Sequence, residues 1–349
     1  NTAAKLLSRP GEAIYNDAGG LVEGNSPFQV AWMGATEHVR ILNQLVDRDQ
    51  SFASQLGPAI VFEGNRPARM TTDLTDQALR SANDADALVG LLGESVELGP
   101  PTCLHLQAMT GRNVLVVGPM AMRTGVLSSL AVTAMMHRPD LELTVLDGSR
   151  SNEPGSFASW LRDAGIDDQP TVRIVSSRDV DSTLGRLADE LARRVELEKD
   201  VETPGEQAGP PRLLVIDSLD RFRDLRQDDQ FQFALNEEAQ QVPAAKLQAI
   251  LKDGPAVGIF TVINIASAET LSRWLPRQSQ RDLELRLVGP VNAADSSLLL
   301  DTPLASELAA ATMVLFDESS GQLTKFRLCD PPTRQQCAEW FTSGSEVVE

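Results

Sequence analysis

The sequence predicts an α/β protein with a doubly wound, mostly parallel sheet and a short N-terminal extension. The first observation is a set of short runs that are apolar on both faces, such as Val114–Val117 and Gly258–Ile265. The second is that helical patterns separate these runs, which is typical of parallel sheets covered by helices on each side. The third is size, because 349 residues, 42% of them hydrophobic, suffice for one large core plus a smaller appendage.

The N-terminal part precedes this alternating pattern. Strands are predicted there at Glu12–Tyr15 and Pro27–Trp32. Over Gly34–Leu56, apolar residues recur at the spacing of an amphipathic helix. The stretch Pro58–Pro101 is predicted to be helix and loop leading to the first strand of the core, with a β-turn at Gly99–Pro101. We assign no function to this stretch.

The main body alternates strands with helices. Buried strands are predicted at Arg112–Val117, Leu141–Leu146, Thr171–Val175, Leu213–Ile216 and Gly258–Ile265. Helices are predicted between them at Gly125–His137, Ser156–Ala164 and Ser182–Glu198. Further strands are predicted at Leu283–Val288, Met313–Phe316 and Leu323–Leu328, and the last two are expected to form a hairpin.

The charge balance disfavours a free-standing nucleic-acid binder. The chain has 31 Lys and Arg against 49 Asp and Glu, a formal net charge of −18, whereas binding a polyanion requires a basic face. Arginines do cluster in two short segments, and local ion pairs on solvated faces are the favoured interpretation of both. These clusters are Arg221, Arg223 and Arg226, and Arg273, Arg277 and Arg281.

Cysteine and histidine spacing gives no metal-binding pattern. The three cysteines, Cys103, Cys329 and Cys337, lack CxxC spacing, and the three histidines do not complete a ligand set with them. We therefore expect reduced thiols, a cytoplasmic location and no structural zinc. No apolar run approaches the roughly 20 residues that a membrane helix needs.

The strand at Arg112–Val117 is followed by a segment with the outline of a phosphate-binding loop. A working loop has the pattern GxxxxGK[ST], in which glycines let backbone amides surround the phosphates, Lys contacts their oxygens, and the hydroxyl binds Mg²⁺. Counting from Gly118, the second glycine is replaced by Arg123, the lysine by Thr124 and the hydroxyl residue by Gly125. The pattern thus predicts an NTPase outline without the phosphate-binding side chains.

A second motif has the form of a Walker B strand. RLLVID, at Arg212–Asp217, carries an Asp to the carboxyl edge of the predicted sheet, where open α/β sheets bind ligands. Such an Asp usually orders Mg²⁺-bound water, and a following Glu positions the attacking water. Here the following residue is Ser218. Asp217 has two open interpretations, a metal ligand or a helix N-cap.

Two later segments carry a family resemblance. KDGPAVGIFTVINIAS, at Lys252–Ser267, is similar to the FtsK/SpoIIIE segment in which a Gly-rich turn leads into the strand ending in a Thr-Gln sensor pair. RDLELRLVGPVNAADSSLLLDTPLASELAAATMVLF resembles the stretch that follows, and its Asp295, Ser296 and Asp301 fall on the family's DSRxxLD pattern. With the two Walker positions, the resemblance spans about residues 110 to 328. It implies a RecA-like P-loop NTPase core.

This sequence departs from the family at four charged or polar positions, which include the Walker Lys at Thr124 and the Glu at Ser218. The sensor pair is replaced by Ile265 and Ala266, with Asn264 as the nearest polar residue, and the trans-acting Arg is replaced by Ser297. An arginine finger is worth about 10³–10⁵ in rate. The resemblance therefore implies a pseudo-ATPase. The alternative is a working ATPase in which Arg123, one position before the missing lysine, supplies a substitute cation and acts with Asp217. A nucleotide is expected above Gly118–Val126, with Asp217 beside its phosphates.

The resemblance also implies a domain organisation. The N-terminal segment resembles the closing part of an FtsK-like domain, in which a Leu-containing helix leads into two strands. We therefore expect residues 1–33 to complete a preceding domain, residues 34–109 to connect, and residues 110–349 to form a degenerate ATPase domain. The alternative is that the first strands decorate the sheet of this domain.

Three functions follow from the resemblance. The first is a non-catalytic or weakly active module that packs with and regulates active ATPase domains of a larger translocase. The second is an active ATP-dependent translocase domain for double-stranded DNA. The third is a protein-binding domain like those of type VII secretion ATPases. ATP or ADP with Mg²⁺ are the implied cofactors, and other ATPase domains, a homo-oligomeric ring, DNA and a protein substrate are the implied partners. A missing N-terminal part would supply any membrane association.

Overall fold

The structure is a computed structural model that describes most of the chain as two compact units, residues 1–62 and residues 63–349. The described residues are 5, 7–16, 18, 21–48, 66–149, 153–200, 209–226 and 242–343.

The first unit contains an antiparallel hairpin and a helix. Strand β1 (Glu12–Asn16) pairs with β2 (Asn25–Gln29), which confirms the two predicted strands. Helix α1 spans Ala35–Arg48, and the part of the predicted helix after Arg48 lies outside the described residues. No described residue of this unit is buried, and large apolar side chains such as Phe28 and Trp32 are exposed.

The second unit is built on a ten-stranded sheet. Its strands are β3 (Asp86–Ser95), β4 (Thr102–Gln107), β5 (Val114–Val117), β6 (Glu142–Asp147), β7 (Val172–Val175), β8 (Arg212–Asp217), β9 (Ile259–Ile265), β10 (Leu285–Val288), β11 (Thr312–Asp317) and β12 (Gln322–Leu328). Their order across the sheet is β4-β3-β12-β11-β10-β5-β9-β8-β6-β7.

Helices cover both faces of this sheet. They are α2 (Thr72–Arg80), α3 (Met120–His137), α4 (Phe157–Asp163), α5 (Val180–Asp200), α6 (Pro243–Asp253), α7 (Ala268–Trp274), α8 (Arg277–Arg281), α9 (Ala293–Leu300) and α10 (Arg334–Ser343). One buried cluster joins the sheet to α3 and α4, and the other joins its opposite face to α5, α6 and α7. The doubly wound prediction is therefore confirmed.

Six neighbouring strands, from β10 to β7, are all parallel. Their side chains alternate between the two buried clusters: Leu143 and Val145 of β6 face one, and Leu146 faces the other. Burial on both faces is the physical reason for continuous apolar runs, and every predicted core strand in this block is confirmed within two residues of its ends.

The other four strands form an antiparallel wing. The predicted hairpin of β11 and β12 is confirmed, and β12 pairs in turn with β3. The prediction of helix and loop over Pro58–Pro101 is wrong where β3 lies. The glycines within β3 weakened the strand pattern in the sequence. Close packing explains Gly93, because a Cβ at this position would overlap the carbonyl oxygen of Arg327 on β12.

Among the described residues, no helix combines the length and apolar character that crossing a bilayer requires.

A buried arginine ties α5 to the start of the parallel block. Arg194 is fully buried, and it donates to Glu190 Oε1 at 2.8 Å, to the carbonyl of Val257 at 3.0 Å and to the carbonyl of Pro210 at 2.7 Å. Glu190 also accepts from Arg193. These guanidinium groups lower the pKa of Glu190 from 4.5 to about 2.

We predict that Glu190→Gln destabilises the protein at pH 7 by about 1–3 kcal/mol, because the folded state then loses its preference for the ionised carboxylate. Since the folded pKa of Glu190 is depressed, this contribution is present above pH 4.5 and is lost as pH falls towards about 2. Urea unfolding of both proteins between pH 7 and pH 2.5 measures it. The exposed Asp189→Asn on the same helix is the control, and a pH-independent effect of Glu190→Gln would contradict the prediction.

Candidate functional site

The candidate site lies at the carboxyl ends of three parallel strands, β5, β8 and β9. These ends are Val117, Asp217 and Ile265, and strand pairing places Asn264 directly beside Asp217. Ligands of open α/β sheets bind at this edge.

The turn after β5 is shorter than the predicted loop. Gly118 has φ +143°, a conformation that favours glycine, and a Cβ there would lie 3.3 Å from Cα of Gly289. Helix α3 begins at Met120, so only Gly118 and Pro119 separate strand and helix. The prediction that this helix starts at Gly125 is wrong by five residues, because Met120–Arg123 has high helix propensity.

This early helix start uses amides that a phosphate-binding loop leaves free. The amides of Met122 and Arg123 donate to the carbonyl of Pro119 at 3.0 and 3.1 Å. A phosphate loop instead keeps successive amides pointed at the ligand. The residues between Gly118 and Arg123 therefore form the first turn of α3 rather than a phosphate cradle.

The next three predicted site residues are buried within α3. Thr124 donates its hydroxyl to the carbonyl of Gly155 at 2.7 Å, and Val126 belongs to the core. A Cβ on Gly125 would lie 2.8 Å from Cδ1 of Leu328 and 2.9 Å from the carbonyl oxygen of Cys329. The position of a metal-binding hydroxyl is thus filled by the chain that follows β12.

A buried polar network joins the three motif positions. Arg123 Nη1 donates to Asn264 Oδ1 at 2.5 Å, and Asn264 Nδ2 donates to Asp217 Oδ1 at 2.7 Å. The exposed fractions of Arg123, Asn264 and Asp217 are 6%, 2% and 3%. Asn264 is therefore the bridge between a buried cation and a buried carboxylate.

Burial opposes both charges of this network. Burial raises the pKa of Asp217, and the positive charge of Arg123 acts in the opposite direction and lowers it. Burial lowers the pKa of Arg123, and the negative charge of Asp217 acts to raise it. Arg123 Nε and Asp217 Oδ2 are buried without a hydrogen-bond partner. Each charge is thus compensated mainly by the other, through Asn264.

The open question about Asp217 has a structural answer. Its side chain accepts from Asn264 and from the Ser218 hydroxyl, at 3.4 Å, and not from a helix amide. Ser218 has φ 64°, a left-handed conformation that is unusual for a residue with a Cβ. Asp217 is therefore not a helix N-cap.

The predicted Arg-finger position is separate from this network. Ser297 lies exposed on α9. The matching residues around it have local structural contacts: Asn292 caps α9 by accepting from the amide of Asp295, and Ser296 donates to the carbonyl of Thr302 at 2.6 Å. Part of the DSRxxLD pattern therefore holds a helix and its following loop.

Sequence reasoning missed one carboxylate near the site. Asp147 ends β6 beside Asp217, its charge raises the pKa of Asp217, and it accepts from Arg162 at 2.9 Å. The signal was present, because LTVLD repeats the form of RLLVID.

These residues do not fit Mg²⁺ in the manner of a phosphate-binding loop. Asp217 Oδ2 is one free oxygen, but the hydroxyl ligand is absent at Gly125 and the Arg123 cation lies on the same carboxylate network. Among the described residues, no group of three or more His, Cys, Asp or Glu is arranged to hold a metal ion.

Comparison with known proteins identifies the fold. No family model matches the sequence, and no curated protein sequence does. Among solved structures, the pCW3 conjugation coupling protein TcpA, determined as a monomer with ATPγS, matches with a TM-score of 0.54 and 12% identity over 78% of this chain and 73% of that one. The chain has the P-loop ATPase fold.

Two EssC structures agree with this assignment. ATPases 2 and 3 of EssC from Geobacillus thermodenitrificans match with a TM-score of 0.54 and 14% identity, over 84% of this chain and 53% of that one. The cytoplasmic domain of EssC matches with the same TM-score and 13% identity, over 94% of this chain. The chain spans 61% of that domain, so it corresponds to part of each EssC structure.

We predict that Arg123→Met destabilises the protein by roughly 2–4 kcal/mol at pH 7, because Asp217 is left buried without its cation. Without Arg123 the folded pKa of Asp217 rises further, so the loss is larger at high pH and smaller near pH 4. The double variant Arg123→Met/Asp217→Asn should recover part of this loss. Urea denaturation of the unsubstituted protein, of Arg123→Met, of Asp217→Asn and of the double variant provides a double-mutant cycle, which measures the interaction energy between the two residues.

The matched control is Arg138→Met, which removes an arginine from the partly exposed pair with Asp140 and should cost under about 1 kcal/mol. Additive effects of the Arg123 and Asp217 changes would show that the two charges do not depend on each other.

Proposed function

We propose that this chain is a non-catalytic, FtsK/SpoIIIE-like ATPase module that packs with and regulates active ATPase domains of a larger translocase. The observation that carries the proposal is the buried network of Arg123, Asn264 and Asp217. It gives the Walker B-type Asp an internal cation in place of a metal ion.

The chemistry of phosphoryl transfer supports the absence of turnover. Catalysis there consists of positioning and of stabilising charge on the transferred group by the loop Lys, the metal and an arginine finger. In this chain, Thr124 bonds to Gly155, Gly125 packs on Cys329, and Ser297 has no positive charge. Ser218 stands where a Glu would position water.

ATP or ADP is the ligand class proposed for this edge. The similarity to TcpA, which was solved with ATPγS, supports it. Nucleotide bound here would act as a structural or regulatory element, since the side chains for hydrolysis are absent.

Other ATPase domains of the same protein are the proposed partners. The similarity to an EssC structure that contains ATPases 2 and 3 supports this. The match to the EssC cytoplasmic domain covers 94% of the chain, so it extends beyond residues 63–349 into the first unit. In the proposed organisation, residues 1–33 complete a preceding domain and residues 110–349 form the degenerate domain. The sheet of this domain also includes β3 and β4, which lie in the predicted connecting region 34–109. The exposed apolar side chains of the β1–β2 hairpin support an added partner there.

A protein-binding domain of a type VII secretion-like ATPase is the second candidate. The net charge of −18 favours a protein partner over direct contact with DNA. In this proposal the chain contacts DNA only as part of a full assembly. The assembly is a homo-oligomeric ring in the cytoplasm, and other parts of the protein attach it to a membrane.

We predict no ATP hydrolysis by the purified chain at millimolar ATP and Mg²⁺. Phosphate release should stay at the background rate, because a missing arginine finger alone costs about 10³–10⁵ in rate. A coupled phosphate-release assay measures it, with Asp217→Asn as the control for contaminating ATPases. Turnover that Asp217→Asn abolishes would mean that the site is catalytic.

A further inference from the structure

A second polar pocket lies at the opposite edge of the parallel block. It has a volume of about 270 Å³ and lies between helix α5 and the amino-terminal ends of β6 and β8. Glu142 and Arg212 begin these strands, whereas Asp147 and Asp217 end them, about 16 Å further along extended chain. The pocket is therefore separate from the candidate site.

Strand pairing places its polar side chains on one face of the sheet. Thr144 pairs with Arg173 of β7, and Glu142 pairs with Arg212 of β8. Side chains two residues apart on a strand share a face. Arg173 and Arg212 therefore approach the same concavity from β7 and β8, the two strands that flank β6.

Helix α5 supplies the other wall. Thr183 and Arg186 line the pocket from this helix, and Arg186 Nη2 donates to Thr183 Oγ1 at 3.1 Å. Thr144 and Thr171 add hydroxyl groups from the sheet side. The wall thus presents guanidinium and hydroxyl groups together.

The charges of the pocket are unbalanced towards positive. Arg212 pairs with Glu142 at 3.1 Å, and its guanidinium also lies 3.8 Å from Oε1 of Glu190. Within the described parts of the chain, Arg173 and Arg186 have no ion pair with a carboxylate. Two uncompensated arginines in one pocket are notable in a chain of net charge −18.

One buried donor also lacks an acceptor. Arg212 Nε is buried and has no hydrogen-bond partner. Buried N–H groups are normally satisfied, so the Arg212 guanidinium is incompletely hydrogen-bonded beside the pocket.

We propose that this pocket binds the phosphate group of a small molecule. Planar guanidinium groups with adjacent hydroxyls are suited to phosphate oxygens, and paired arginines bind them with specific geometry. A volume of about 270 Å³ is below that of drug-sized sites, so the pocket suits a compact anion. Arg173 and Arg186 are the binding residues, and Thr144 and Thr183 supply further hydroxyl groups.

Isothermal titration calorimetry of the full chain with inorganic phosphate tests the proposal, in buffers whose ionic strength is matched with NaCl. We expect saturable binding at about millimolar Kd and at least about tenfold weakening by either Arg173→Ala or Arg186→Ala. Arg178→Ala, at an exposed arginine that does not line the pocket, is the matched control and should leave binding unchanged.

A parallel titration with O-phosphoserine distinguishes the source of the phosphate. Comparable affinity for both probes means that the pocket recognises the group on a carrier molecule, and binding of inorganic phosphate alone means a free ion. No saturable binding of either probe, or equal weakening in all three variants, overturns the proposal. Unchanged circular dichroism spectra exclude unfolding of the variants as the cause of lost binding.

Discussion

The attraction between a buried guanidinium and a buried carboxylate organises the carboxyl edge of this sheet. Arg123 and Asp217 come from elements almost a hundred residues apart, and Asn264 joins them with hydrogen bonds of 2.5 and 2.7 Å. Burial disfavours each charge, so neither is stable there without the other. This dependence fixes the first turn of α3 against the ends of β8 and β9.

The short turn and the antiparallel wing follow from the same packing. Because α3 begins at Met120, its first turns approach the chain after β12 so closely that only glycine fits at position 125. The wing thus packs against the helix that a nucleotide-binding loop would precede. Restoring a loop motif would therefore require more than new side chains, since Thr124 and Gly125 are already buried in contacts.

The sequence predicted the parallel block well because its strands are apolar on both faces, and this pattern depends only on burial. It did not predict β3, where Gly93 is explained by contact with β12, a strand more than two hundred residues later. At the site, motif spacing located Asp217, Asn264 and Arg123, yet not their contact. The start of α3 was missed because motif alignment assigned loop where local helix propensity prevails.

The central claim is that Arg123 supplies the positive charge at Asp217 that Mg²⁺ supplies in active ATPases. Calorimetric titration of the chain with ATP, in Mg²⁺ and in EDTA, tests it most directly. If Arg123 has this role, the two titrations coincide, whatever the affinity for ATP. Binding that Mg²⁺ tightens, and that Asp217→Asn returns to the level found in EDTA, would show that a metal ion still binds at this carboxylate.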